Sequence, residues 1–167
     1  MKDKFGCLLK RSGWIFLVGL LSISLLLAGC SKQNTSGTVI KINNVATASS
    51  ITTTNGEQDW RNYTQQKNFS SGYSGDFWVM FEFSNVLHNS NTNVKINIYI
   101  VSGGILEDEA SKYVDQTDAT DNTLYWGNKF DISKYNAGNY TVIVTMTDLI
   151  SATSATMTNA FTIGSSS

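Results

Sequence analysis

Apolar side chains recur at every second position over four stretches of this chain, the spacing that sets them on one face of a β-strand. Residues 76–84 carry Phe77, Val79, Phe81 and Phe83 in that pattern, and residues 93–101 carry Val94, Ile96, Ile98 and Ile100. Residues 139–147 repeat it with Tyr140, Val142, Val144 and Met146, and residues 154–163 with Ala155, Met157, Phe161 and Ile163. Weaker β-branched runs at 38–46 and 49–54, and short ones at 122–126 and 128–132, complete the set. Asn55-Gly56 marks a tight turn, and the Asn-rich run Leu87 to Thr92 reads as the turn of a hairpin joining 76–84 to 93–101. A 3.6-residue period is sustained nowhere; residues 106–114 come nearest and predict one or two helical turns. Short strands that each hide one face predict an all-β fold, a two-sheet antiparallel β-sandwich around one core.

One apolar run has no such alternation. Residues 14–28 are almost continuously apolar, behind a basic leader over 1–13. A spanning helix needs about 20 residues, so this run is too short for one and fits the apolar region of an export signal. It ends in Leu27-Ala28-Gly29-Cys30. That ending resembles the lipobox of prokaryotic lipoproteins, in which small residues precede a cysteine. The resemblance implies that the Cys30 thiol takes a diacylglyceryl group, that the chain is cut before it, and that the protein is extracytoplasmic. Two acyl chains hold a protein stably on a membrane where one is marginal. Ser31 after the cysteine favours the outer membrane of a Gram-negative host; a single cell membrane is equally allowed. The chain then divides into a signal peptide (1–29), a lipidated cysteine with a flexible tether (30–37), one β-sandwich domain (38–164) and a short tail (165–167).

Cleavage changes the charge. Of 12 basic side chains, Lys2, Lys4, Lys10 and Arg11 fall in the signal, against the single acid Asp3, so the remainder carries 8 basic and 12 acidic groups, a net −4. Such a surface offers no footprint for nucleic acid. Cys7 is removed with the signal, which leaves Cys30 as the one cysteine of the mature chain and excludes an intrachain disulfide. Proline is absent, so Gly and Asn must make the turns.

The run from Phe130 to Asp148 contains Ile132, Tyr135 and then Gly138-Asn-Tyr140 opening a strand. It resembles the E–F corner of immunoglobulin-like, fibronectin type III and bacterial polycystic-kidney-disease-type domains. The resemblance implies an immunoglobulin-like sandwich in which the Tyr140 phenol bonds back to backbone a few residues upstream. Val142 stands where antibody-type domains keep a cysteine. The superfold carries adhesion, sugar binding, inhibition and passive spacing alike.

Candidate chemistry is sparse. His88, the only histidine, lies in an Asn-rich turn and reads as an exposed turn residue, with no nucleophile or orienting acid implied. Glu107, Asp108 and Glu109 precede Asp115, Asp118 and Asp121, whose spacing by threes could wrap calcium but departs from the EF-hand loop; a solvated loop weighs more. Residues 57–75 hold Trp60, Arg61, Tyr63, Phe69 and Tyr73 among polar residues. Trp60, Tyr63, Trp78 and Tyr99 could form a surface for a protein or glycan partner, with Trp126 as a third indole. Otherwise 57–75 is an unrecognised strand or flap folded over Trp78 and Met80, and this weighs more. The function expected is a membrane-anchored, non-enzymatic binding or structural module. The alternatives are a carbohydrate-binding module or, further off, a small hydrolase using the acids. Cys30→Ser is expected to abolish incorporation of a fatty-acid probe and to block normal signal cleavage, read by in-gel labelling and mobility.

Overall fold

The computed structural model describes residues 39–70, 73 and 75–164. The expected signal peptide, Cys30 with the expected tether, and the expected tail at 165–167 therefore lie outside the described residues. Among the described residues nine strands form: β1 (Lys41–Thr54), β2 (Glu57–Gln65), β3 (Asn68–Phe69), β4 (Asp76–Ser84), β5 (Thr92–Ser102), β6 (Ile105–Gln116), β7 (Thr123–Asp131), β8 (Gly138–Asp148) and β9 (Thr153–Ile163). One sheet has the order β2-β1-β4-β7 and the other β3-β9-β8-β5-β6. All pairings are antiparallel except that of β3 with β9, which is parallel, so the second sheet is mixed.

The two inner faces are the alternating apolar sets. Phe77, Val79, Phe81 and Phe83 of β4 meet Ile96, Ile98 and Ile100 of β5 and Val142, Val144 and Met146 of β8 in one buried cluster. Phe77 is the hub, with ring centroids of Phe69, Phe130, Tyr135 and Phe161 at 5.6, 5.6, 5.7 and 5.1 Å. Chain order alternates between the sheets: β4 crosses to β5, β6 to β7, and β7 to β8. This is an immunoglobulin-like sandwich, with β4 and β7 in one sheet and β5, β8 and β9 in the other.

The corner between β7 and β8 is as the resemblance implies. A 3₁₀ turn at Ile132–Lys134, capped by Asp131, ends the first sheet. The Tyr140 hydroxyl then donates to the Asn136 carbonyl at 2.7 Å. Its ring stacks on Phe161 and meets Tyr135 edge-on, so the corner is pinned into the core. Tyr135 donates to Asp108 of β6 at 3.0 Å, and burial and this carboxylate push its phenol pKa well up.

Three expectations need correction. Residues 76–84 and 93–101 do not pair as a hairpin: β4 and β5 face each other across the core. The connection bends through Asn85, Asn89 and Ser90, all at positive φ, and alternation with an Asn-rich turn suits a sheet-to-sheet crossing as well as a hairpin. Residues 106–114 are not helical but form the edge strand β6, closed on β5 by Gly103-Gly104 at positive φ. Only Val114 is buried there, so the strand reads as charged and aperiodic, which is how edge strands avoid further pairing. The two short runs around Gly127 are one strand, β7. Tyr140→Phe removes the corner bond and is expected to cost about 1 kcal/mol, measured as a lower urea midpoint with an unchanged slope.

Candidate functional site

The first sheet should present its outer face to water, yet Met80, which points outward from β4, is 1 % exposed. The cover is β2. Beyond Ala48 the strand β1 no longer pairs with β4; it turns at Asn55-Gly56, both at positive φ, into β2. This hairpin folds back across the outer face. Trp60 meets Trp78 edge-on at 5.9 Å, and the Tyr63 hydroxyl accepts from Asn44 Nδ2 at 3.0 Å. Ala46 and Ala48, small residues of β1 on that face, are buried with Met80 beneath Ile51, Trp60, Tyr63 and Trp78.

A bulge aims the hairpin. Between the pairs Ile51–Tyr63 and Thr52–Asp59, the register advances one residue on β1 and four on β2, leaving Trp60, Arg61 and Asn62 unpaired with β1. Such an insertion bends its strand and redirects side chains. Trp60 here reaches β7 and stacks on Trp126 at 5.6 Å and 9°, while the Arg61 guanidinium lies 4.8 Å over the Tyr125 ring. Gly127 makes room: a Cβ there would stand 2.8 Å from Met80 Sδ, 3.1 Å from Trp60 Cζ3 and 3.1 Å from the Val79 carbonyl oxygen. From the other sheet, Lys112 places its ammonium 5.3 Å from the Trp126 ring.

Between the bulge and the start of β7 lies a cleft of about 280 Å³, walled by Gln58 to Arg61 on one side and Asp121 with Thr123 to Tyr125 on the other. It combines aromatic faces, one cation, two carboxylates and an amide, the mixture suited to an uncharged, hydroxyl-rich ligand. Asp59 is partly committed, accepting the Arg61 backbone N–H at 3.1 Å. A second hollow, about 430 Å³, opens beside Gly103, Tyr140 and Phe161 at the opposite end of β8 and carries one charged side chain, Lys67.

Trp60, Tyr63 and Trp78 are thus brought together, but the indoles pack on one another and on Trp126 and do not form a flat platform. Tyr99 does not join them. It belongs to β5, on the outer side of the other sheet with the core between, and so does not extend that surface. Asp115, near the end of β6, and Asp118 and Asp121, on the β6–β7 connection, are all exposed, and among the described residues no three acidic, His or Cys side chains are grouped to hold a metal ion. Asp121 is a wall of the cleft.

His88 is a correction of another kind. It is not a free turn residue: its Nε2 bonds Asp148 Oδ2 at 2.5 Å. Asp148 is fully buried and also accepts from Ser151 Oγ and from the backbone of Ile150 and Ser151. Burial pushes the Asp148 pKa up, but the bonds from Ser151, His88 and the two backbone N–H groups outweigh it and hold it below the usual carboxylate value. Ser151 bonds the acid directly and not the imidazole, so the arrangement lacks the nucleophile–base contact of a hydrolytic triad. It ties the β4–β5 connection to the β8–β9 turn.

No family model matches the chain, and no curated protein does. Among solved structures it is similar to an immunoglobulin-like protein from Pseudomonas aeruginosa, at 12% identity and a TM-score of 0.40, covering 77% of this chain and 99% of that one. It is also similar to a CARDB domain from a Pyrococcus furiosus protein, solved in complex with di-metal ions, at 10% identity and a TM-score of 0.39, covering 79% and 100%.

Gly127 and the Trp60 bulge carried no signal in the strand pattern. The one available hint is the glycine between the two short runs: once these form one strand, a glycine inside it often marks close backbone approach. Gly127→Ala is expected to lift Trp60 from β7 and to cost roughly 1–3 kcal/mol by overpacking, seen as a lower melting temperature together with a red-shifted tryptophan emission.

Proposed function

We propose that this protein is a lipid-anchored, extracytoplasmic and non-enzymatic binding module, with the cleft at the Trp60 bulge as its ligand site. The observation that carries the reading is the bulge itself. A regular β1–β2 hairpin would lie flush on the sheet; three unpaired residues instead throw Trp60 and Arg61 across to β7 and enclose a hollow. Bulges of this kind re-aim side chains beside functional sites. The anchor is supported by the basic leader, the short apolar run and Leu27-Ala28-Gly29-Cys30. It would keep the domain at the surface of the cell membrane or the outer membrane.

A glycan is the ligand class that the walls favour. Trp60 and Tyr125 offer ring edges and faces for the apolar side of a sugar, while Gln58, Asp59, Arg61 and Asp121 can bond its hydroxyls. A cleft this size holds one or two sugar rings, so affinity would be modest, with Kd on the order of 0.1–1 mM. The test is a fluorescence titration of the mature protein with a panel of soluble cell-wall and plant glycans. A saturable change in tryptophan emission with at least one glycan is expected, lost in Trp60→Ala and weakened about tenfold in Asp121→Ala. No saturable change across the panel would remove the glycan reading. A change that survives both substitutions would move the site away from the cleft.

A further inference from the structure

The end of the sandwich where the chain enters carries apolar side chains that stand exposed among the described residues. Val39 is 57% exposed, and Leu149 and Ile150, in the turn between β8 and β9, are 46% and 47% exposed. These belong to one corner. The Ile40 N–H donates to Thr153 Oγ1 at 3.3 Å, and Ser151 and Thr153 share a bond of 2.8 Å, so the entering chain is stitched to that turn. The turn is held in a fixed shape. Asp148, buried beneath it, accepts from the Ile150 and Ser151 backbone and from Ser151 Oγ, and the Leu149 N–H donates to the Asn93 carbonyl. Polar groups are thus spent in holding two apolar side chains out into solvent.

Charge is distributed to match. β9 contains no charged residue, Asp148 is turned inward, and the nearest exposed charge on the entering strand is the cation Lys41. The acids Asp115, Asp118 and Asp121 lie at the same end but on the β6–β7 side, the opposite edge of both sheets from β1 and β9. Only residues 31–38 separate this corner from Cys30, and eight residues span at most about 28 Å. A chain anchored at Cys30 therefore keeps the corner within reach of the bilayer.

We propose that the Val39–Leu149–Ile150 corner is a second membrane contact that inserts into the lipid surface beside the anchor and sets the tilt of the domain. The proposal rests on the anchoring of Cys30. Seating this corner in lipid lifts the opposite β6–β7 edge, with its acids and the Trp60 cleft, away from the membrane and toward ligand. Attraction here is apolar, so it does not require anionic lipid and is insensitive to salt.

The test uses the lipidated protein. With the Cys30 thiol consumed by the lipid, Ile150→Cys supplies one thiol for a polarity-sensitive fluorophore, and Asp118→Cys supplies the control at the other edge. Both are reconstituted in phosphatidylcholine vesicles with and without nitroxide-bearing lipid. Flotation with the vesicles is expected for both, with a blue-shifted Ile150 label quenched about threefold more than the Asp118 label, at low and high salt alike. Flotation with equally weak quenching at both positions overturns the membrane contact and leaves the anchor standing. Failure to float overturns the anchor and the contact with it. An Ile150 label shielded from aqueous iodide but not quenched by lipid nitroxide overturns the proposal in favour of a contact between two copies of the chain.

Discussion

Two sheets are held face to face here chiefly by apolar packing, and that closure is the constraint on which everything else depends. Residues 39–164 contain no cysteine, so no covalent bridge joins the inner faces. Phe77 stands at the centre, where Phe69 from β3, Phe130 from β7, Tyr135 just after the 3₁₀ turn and Phe161 from β9 converge. Each reaches it from a different element, so the aromatic cluster does in non-covalent form what a cross-link does in small exported domains. The Tyr140 corner matters for the same reason: it fixes where the chain leaves one sheet for the other.

A second, smaller layer is built on the first. Sealing the inner faces leaves Trp78 and Met80 pointing outward on β4, and the β1–β2 hairpin folds over them. That fold depends on size at three places. Ala46 and Ala48 let the hairpin lie close, and Gly127 lets Trp60 rest against β7. The bulge at Trp60 to Asn62 prevents the cover from lying flush, and the space it leaves is the cleft. The proposed ligand site and the structural cover are therefore one feature, and a substitution that tightens the cover is expected to close the cleft.

What the sequence disclosed follows the same division. Strands that bury one whole face write a period of two, so β4, β5, β8 and β9 are plain in the chain, and so is the Gly138-x-Tyr140 corner. β6 is hidden because an edge strand buries only Val114 and surrounds it with charge. Sheet membership of β4 and β5 is hidden because alternation reports a buried face and not the strand it pairs with. The cover over Trp78 was foreseeable from outward-facing large side chains, but its aim was not. It depends on a register jump within β2 and on the absence of a side chain at position 127, neither of which has a periodic signature. The tie between His88 and Asp148 was equally invisible, since it joins two turns 60 residues apart.

The central claim is that the hairpin folds back so that Trp60 rests on Gly127 and borders the cleft. Nuclear Overhauser spectra of the isotope-labelled domain test it most directly, since the six-membered ring of that indole lies against position 127. The structure predicts strong cross-peaks from the Trp60 ring protons to the Gly127 Hα protons and to the Met80 methyl group. Absence of both, with Trp60 ring protons at random-coil shifts, would show the hairpin extended into solvent and would contradict the account of the cover and the cleft together.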